Sequence, residues 1–91
     1  MSEKPSARYT VFFTKTARKD YESIRDKKLL RGINSIIDEI KKDPYQFKKL
    51  SGPLSHLRSA KTFSFRVLYQ IHNHELIVWV VAIDNRKDVY K

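Results

Sequence analysis

From Phe63 to His72 apolar positions alternate with mostly polar ones, Leu68 being the exception. Phe63, Phe65, Val67, Tyr69 and Ile71 fall on one side, and Ser64, Arg66, Leu68, Gln70 and His72 on the other. A period of two describes a strand with one face on a core and the other in water. Arg66 stands in the middle of the wet face. The next run, from Leu76 to Ile83, is apolar at every position and predicts a strand inside the sheet, covered on both faces. His72-Asn73-His74-Glu75 joins the two as a tight turn, so they predict an antiparallel hairpin. The hairpin runs out into Asp84-Asn85-Arg86-Lys87-Asp88-Val89-Tyr90.

Upstream the period changes. Tyr9, Val11 and Phe13 share one face of a short strand. Thr14 or Thr16 then caps a helix whose stripe is Ala17, Tyr21 and Ile24, ended by the Asp26-Lys27-Lys28 patch. Leu29, Ile33, Ile36, Ile37 and Ile40 recur at the spacing of a second buried helix face. Asp43-Pro44 stops that helix, because the residue before proline is pushed out of the helical region. Tyr45, Phe47 and Leu50 anchor a loop that reaches the Ser51-Gly52-Pro53 turn. Leu54 to Lys61 predicts a weaker strand, and Val89-Tyr90 a short final one. The order β-α-α-β-β-β predicts an α+β fold: a mainly antiparallel sheet with a helical hairpin packed on one face. The other face carries Arg66 and is left open.

Size and composition narrow the class. Residues 1–91 suffice for a single domain with one core, with 1–6 as a flexible tail. No run of 18 apolar residues is present, so no membrane span is expected. The N-terminus lacks the apolar stretch of a signal peptide, which makes the cytoplasm the expected location. The chain has no cysteine, which excludes disulfides and thiolate metal sites. A net charge of +9 on so small a domain points to a polyanionic partner, against the plainer reading of a lysine-rich surface kept soluble by its charge. From Tyr45 to His74 the charged residues are Lys48, Lys49, Arg58, Lys61 and Arg66, with no acid among them. The positive field therefore belongs to the C-terminal half.

Four stretches carry a resemblance. Tyr9-Thr10-Val11-Phe12 ahead of a helix pair, Lys49-Leu50-Ser51-Gly52, Phe65-Arg66-Val67-Leu68-Tyr69-Gln70-Ile71, and Arg86-Lys87-Asp88-Val89-Tyr90 are similar, in that order, to the RelE/ParE superfamily of bacterial and archaeal toxins. The resemblance covers most of the chain. It implies a toxin of a type II toxin–antitoxin system, held in a hetero-oligomer by a small acidic antitoxin that folds on binding. The RelE branch cuts messenger RNA in the ribosomal A site, without metal or other cofactor. The ParE branch poisons DNA gyrase and cuts no RNA.

Carried over residue by residue, the resemblance implies three catalytic side chains. Arg66 matches the strand arginine that holds the scissile phosphate, and Arg86 the arginine that assists the leaving oxygen. Tyr90 matches the tyrosine that helps activate the 2′-hydroxyl. Lys49, Arg58 and Lys61 are the candidates for the RNA-binding lysines that the family places ahead of the Arg66 strand. The chain departs from the family at Ser64, where glycine is common, and at Phe65, where tyrosine is common. Asp84-Asn85 precedes Arg86 where many members have Gly-His or Gly-Lys. Asp84 either weakens phosphate binding there or orients Arg86 through a charge-assisted hydrogen bond.

The chemistry is coherent. Attack by a 2′-hydroxyl needs a proton removed, a pentacoordinate phosphorane stabilised and the 5′-oxygen protonated. Guanidinium groups suit the second task, since their fork matches phosphate oxygens and they stay charged. Tyrosine is a weak base at its usual pKa of about 10, but neighbouring cations favour its phenolate. Each residue also has a plainer reading: Arg66 as a rim arginine, Arg86 as a loop charge paired with Asp84 or Asp88, Tyr90 as a closing aromatic. His56, His72 and His74 match no family position, and His-x-His alone is weak metal evidence. Trp79 reads as core rather than as a platform for bases. Three functions remain open: a RelE-type ribosome-dependent endoribonuclease, a ParE-like gyrase toxin, and a non-enzymatic basic module that binds nucleic acid or a partner.

Overall fold

The computed structural model describes residues 8–85. The expected tail at 1–6, the final strand at Val89-Tyr90 and the candidates Arg86 and Tyr90 lie outside the described residues. The chain begins with β1 (Thr10–Phe13) and passes into α1 (Lys15–Glu22) through Thr14. The Thr14 hydroxyl accepts the Ala17 N–H and donates to the Val81 carbonyl, so one side chain starts the helix and ties it to the sheet. Helix α1 ends earlier than expected, at Glu22, where the Ser23 hydroxyl donates to the Asp20 carbonyl. Asp26 does not terminate α1. Its carboxylate accepts the N–H groups of Lys28 and Leu29 and opens α2 (Lys27–Lys42), the usual task of an acidic residue before a helix. Asp26→Ala is expected to lower stability by about 1 kcal/mol, read as a shift in the urea midpoint.

Helix α2 buries Ile33, Ile37 and Ile40 and half-buries Leu29 and Ile36, as its spacing requires. Asp43 closes it, and its carboxylate accepts the Tyr45 N–H to start a short 3-10 turn at Pro44–Gln46. Four strands follow rather than three: β2 (Lys48–Lys49), β3 (Arg58–Thr62), β4 (Phe65–His72) and β5 (Ile77–Asn85). The additional strand is only two residues long, too short to leave a periodic trace. The sheet order is β1-β5-β4-β3-β2, with β1 parallel to β5 and the other pairs antiparallel. The fold is α+β.

Phe63 is not in the strand that its place in the alternation suggests. It sits in the two-residue turn between β3 and β4 at φ 54°, 59% exposed. Its ring lies over α2 at Gly32, where a Cβ would fall 2.5 Å from Phe63 Cε2 and 2.8 Å from Thr62 Oγ1. Glycine at position 32 lets the turn close on the helix.

The inward side chains of β4 (Phe65, Val67, Tyr69) meet Val78, Val80 and Ile83 of β5, and all pack on Ala17, Ile33, Ile37 and Ile40. A bulge between Leu68 and Tyr69 leaves Val81 without a partner on β4 and keeps both Val80 and Ile83 inward. Beyond the end of β1, the edge of β5 is met by α1: the Ile83 N–H donates to Asp20 Oδ2 at 2.9 Å. Among the described residues no helix is long and apolar enough to cross a membrane.

Candidate anion-binding face

Both helices lie on the Tyr69 side of the sheet, so the register decides which side chains share the other face. Residues directly opposite in paired strands project from the same side. Lys61 of β3 faces Arg66 of β4, which faces Asp84 of β5, a single row across three strands on the helix-free side. In the row behind it, Lys48 faces Ser59, Ser59 faces Leu68, and Leu68 faces Ala82.

Arg66 is the unusual member. It is half-buried, and its Nε is removed from solvent without a hydrogen-bond acceptor among the described residues. Asp84 stands opposite but forms no ion pair with it. Lys61 on the other side is a second cation, and like charges facing each other across a strand pair are destabilising. A buried guanidinium N–H without a partner costs about 1–3 kcal/mol. An anion seated between Lys61 and Arg66 would remove both penalties.

The other two basic candidates stand elsewhere. Arg58 faces Tyr69, and Lys49 faces Arg58, so both belong to the helix-side face. Arg58 is already engaged. Its Nη1 donates to the carbonyls of Phe47 (2.8 Å) and Tyr45 (3.3 Å), and its guanidinium lies 5.1 Å from the Tyr45 ring centroid. It ties the loop after α2 to the sheet. Arg58→Ala is expected to lower stability by about 1–2 kcal/mol, with Arg58→Lys failing to restore the midpoint, because lysine cannot reproduce the planar contact. Lys48, one position before the lysine singled out in the sequence, is the one on the Arg66 side.

Trp79 is a correction. It is only half-buried and lies on the helix-free side, opposite Gln70 and Phe12. Its ring centroid is 5.2 Å from that of Phe12, with the planes inclined at 33°. The signal was present in the sequence. A four-residue turn that sets His72 against Ile77 also sets Gln70 against Trp79, and Gln70 is on the wet face of β4. Apolar composition on both faces of β5 concealed it.

A two-helix layer on one side of a five-stranded sheet is a fold shared with solved RelE-type toxins. The intact RelBE toxin–antitoxin complex of Escherichia coli has this fold, with a TM-score of 0.74 over 85% of this chain and 95% of that one, at 16% identity. The toxin–antitoxin complex RelBE2 of Mycobacterium tuberculosis matches at a TM-score of 0.80 and 27% identity, over 92% of this chain and 98% of that one. In sequence, Toxin RelG of M. tuberculosis (strain ATCC 25618 / H37Rv) is 30% identical over 84 residues, 91% of this chain and 97% of RelG. The model of the family "ParE toxin of type II toxin-antitoxin system, parDE" matches residues 11–90. The chain belongs to that family, and is a type II toxin of the RelE/ParE superfamily.

Proposed function

We propose that this toxin is a RelE-type endoribonuclease that cleaves messenger RNA on the ribosome by attack of a 2′-hydroxyl, and so stops translation in the cytoplasm. The observation that carries the reading is the Arg66 guanidinium, held on the helix-free face beside Lys61 with its Nε buried and without an acceptor among the described residues. Such a group is preorganised for a phosphate. Arg66 and Lys61 meet the charge of the phosphorane, and each well-placed donor is worth about 3–4 kcal/mol in the transition state. In this reading Arg86 assists the departing 5′-oxygen and Tyr90 activates the 2′-hydroxyl. The ribosome supplies the alignment of the scissile bond, which relieves so small a site of holding the substrate in line by itself.

A cognate antitoxin, small and acidic, completes the picture as the resting partner in a hetero-oligomer. The toxin carries a net charge of +9, and an acidic segment laid over Lys61 and Arg66 neutralises the row and blocks the phosphate. A neighbouring reading frame for a small acidic protein is the expected genetic context.

One observation favours a second reading, inhibition of DNA gyrase: the matching family model is that of ParE. Induced expression separates the two. The nuclease reading expects new mRNA 5′-ends within coding regions by primer extension, with gyrase activity intact. The gyrase reading expects accumulating DNA breaks while translation continues. A purely non-enzymatic basic module gives neither, only binding with a steep salt dependence.

A further inference from the structure

The Lys61–Arg66–Asp84 row occupies one end of the bare face, and the Phe12–Trp79–Gln70 row lies further along the same strands. The packing of the core leaves the second row unexplained. Phe12 is 43% exposed on an edge strand, Trp79 is half-buried beside it, and the core lies on the opposite side of the sheet. The two tilted rings form one continuous apolar slab, and among the described residues both helices lie on the other side of the sheet. Gln70, directly opposite Trp79, brings an amide that both donates and accepts. Gln70 is four residues along β4 from Arg66, about 13 Å at the rise of a strand. Between them the floor of the face is Leu68 and Ala82, apolar and uncharged.

From this arrangement we infer that Phe12 and Trp79 form a base-stacking platform for the same RNA strand whose phosphate Arg66 and Lys61 hold. The inference rests on the ribonuclease reading and extends it to substrate grip. A cationic end and an aromatic end on one uncovered face match the two parts of a single-stranded nucleotide chain, its phosphates and its unstacked bases. Duplex is excluded from the platform, because its bases are stacked on one another and offer no free face. Stacking tolerates any base, since each has a π-face. Gln70 adds only a modest preference through a base edge. The charge argues for RNA over an apolar protein segment: Lys48, Lys61 and Arg66 share this side, and Asp84 is the only acid in the two rows.

Trp79 is the sole tryptophan, so its emission reports the platform directly. The full-length toxin is titrated with a six-nucleotide oligoadenylate at low and raised salt. Binding is expected to quench Trp79 emission. Phe12→Leu, a change at a surface position checked by its unfolding midpoint, is expected to weaken binding about tenfold without altering the salt slope. Lys61→Ala is expected to lower the salt slope by about one charge while leaving the quench at saturation. Full-affinity binding by Phe12→Leu with unchanged Trp79 emission overturns the platform and leaves the phosphate grip standing. A response to an amphipathic peptide but not to oligoadenylate also overturns it, marking the slab as a protein dock, as does the absence of any RNA binding. The ribonuclease reading fails separately, if Arg66→Ala still cleaves mRNA on ribosomes.

Discussion

On the proposed nuclease reading, Arg66→Ala is expected to reduce mRNA cleavage on the ribosome by two to three orders of magnitude, about the loss seen when one preorganised donor to a transition-state anion is removed. It is expected to leave the unfolding midpoint unchanged or slightly raised. The combination is what distinguishes a functional arginine from a structural one. Among the described residues Arg66 has no hydrogen-bond acceptor for its buried Nε, and it faces Lys61 across β3 and β4. Removing it relieves a desolvated donor and a like-charge pair, which offsets the lost packing of its stem. Arg66→Lys sharpens the test. It keeps the charge but loses the planar fork that meets two phosphate oxygens at once, and most of the activity is expected to go with the fork. Lys61→Ala removes a point charge from the edge of the same row, and a smaller loss is expected. In cells, growth inhibition is expected to follow the same order. Undiminished toxicity and cleavage in Arg66→Ala would remove Arg66 from the mechanism altogether.

The fold was largely legible because its determinants are local and periodic. The stripe on α2, the alternation in β4 and the Asp43-Pro44 stop each fix an element without help from distant contacts. What escaped depends on pairing. The faces of Lys48, Lys49 and Arg58 are set by how β2 meets β3, and a two-residue strand leaves no pattern to read. Phe63 continues the alternation perfectly and is still outside the strand, because the turn needs a residue at positive φ there. Asp26 looked like the end of one helix and is the start of the next, since a capping carboxylate belongs to whichever N–H groups it can reach. Arg66 was singled out by its wet-face position and by the family resemblance. Its unsatisfied Nε, and the rows it shares with Lys61 and Asp84, required the register.

The second large effect concerns Tyr69, which is fully buried in the middle of β4. Its hydroxyl donates to the Pro44 carbonyl at 2.6 Å, joining the sheet to the end of α2. Tyr69→Ala is expected to cost about 3–5 kcal/mol, as for other large aromatic truncations in cores. In a domain whose whole stability is about 5–15 kcal/mol, that brings the protein to the edge of unfolding. Tyr69→Phe isolates the hydroxyl: the ring stays, the buried Pro44 carbonyl loses its donor, and about 1–3 kcal/mol is expected to go at neutral pH. Burial raises the Tyr69 phenol well above its ordinary value, Arg58 draws it partly back, and Asp43 adds to the rise. The sign of the pH dependence follows. A raised folded-state pKa means the folded chain keeps a proton that the unfolded chain releases above about pH 10. The stability due to the neutral phenol is therefore complete below pH 10 and is lost as pH climbs beyond it, at up to about 1.4 kcal/mol per pH unit. Phenylalanine has no proton to lose. The difference between wild type and Tyr69→Phe, taken from urea unfolding at successive pH values, cancels the other titrating groups. It is expected to stay constant from pH 7 to about 10 and then shrink steadily. Parallel curves throughout would mean that the phenol is not held neutral by burial, and that the link between β4 and Pro44 is weaker than its geometry implies.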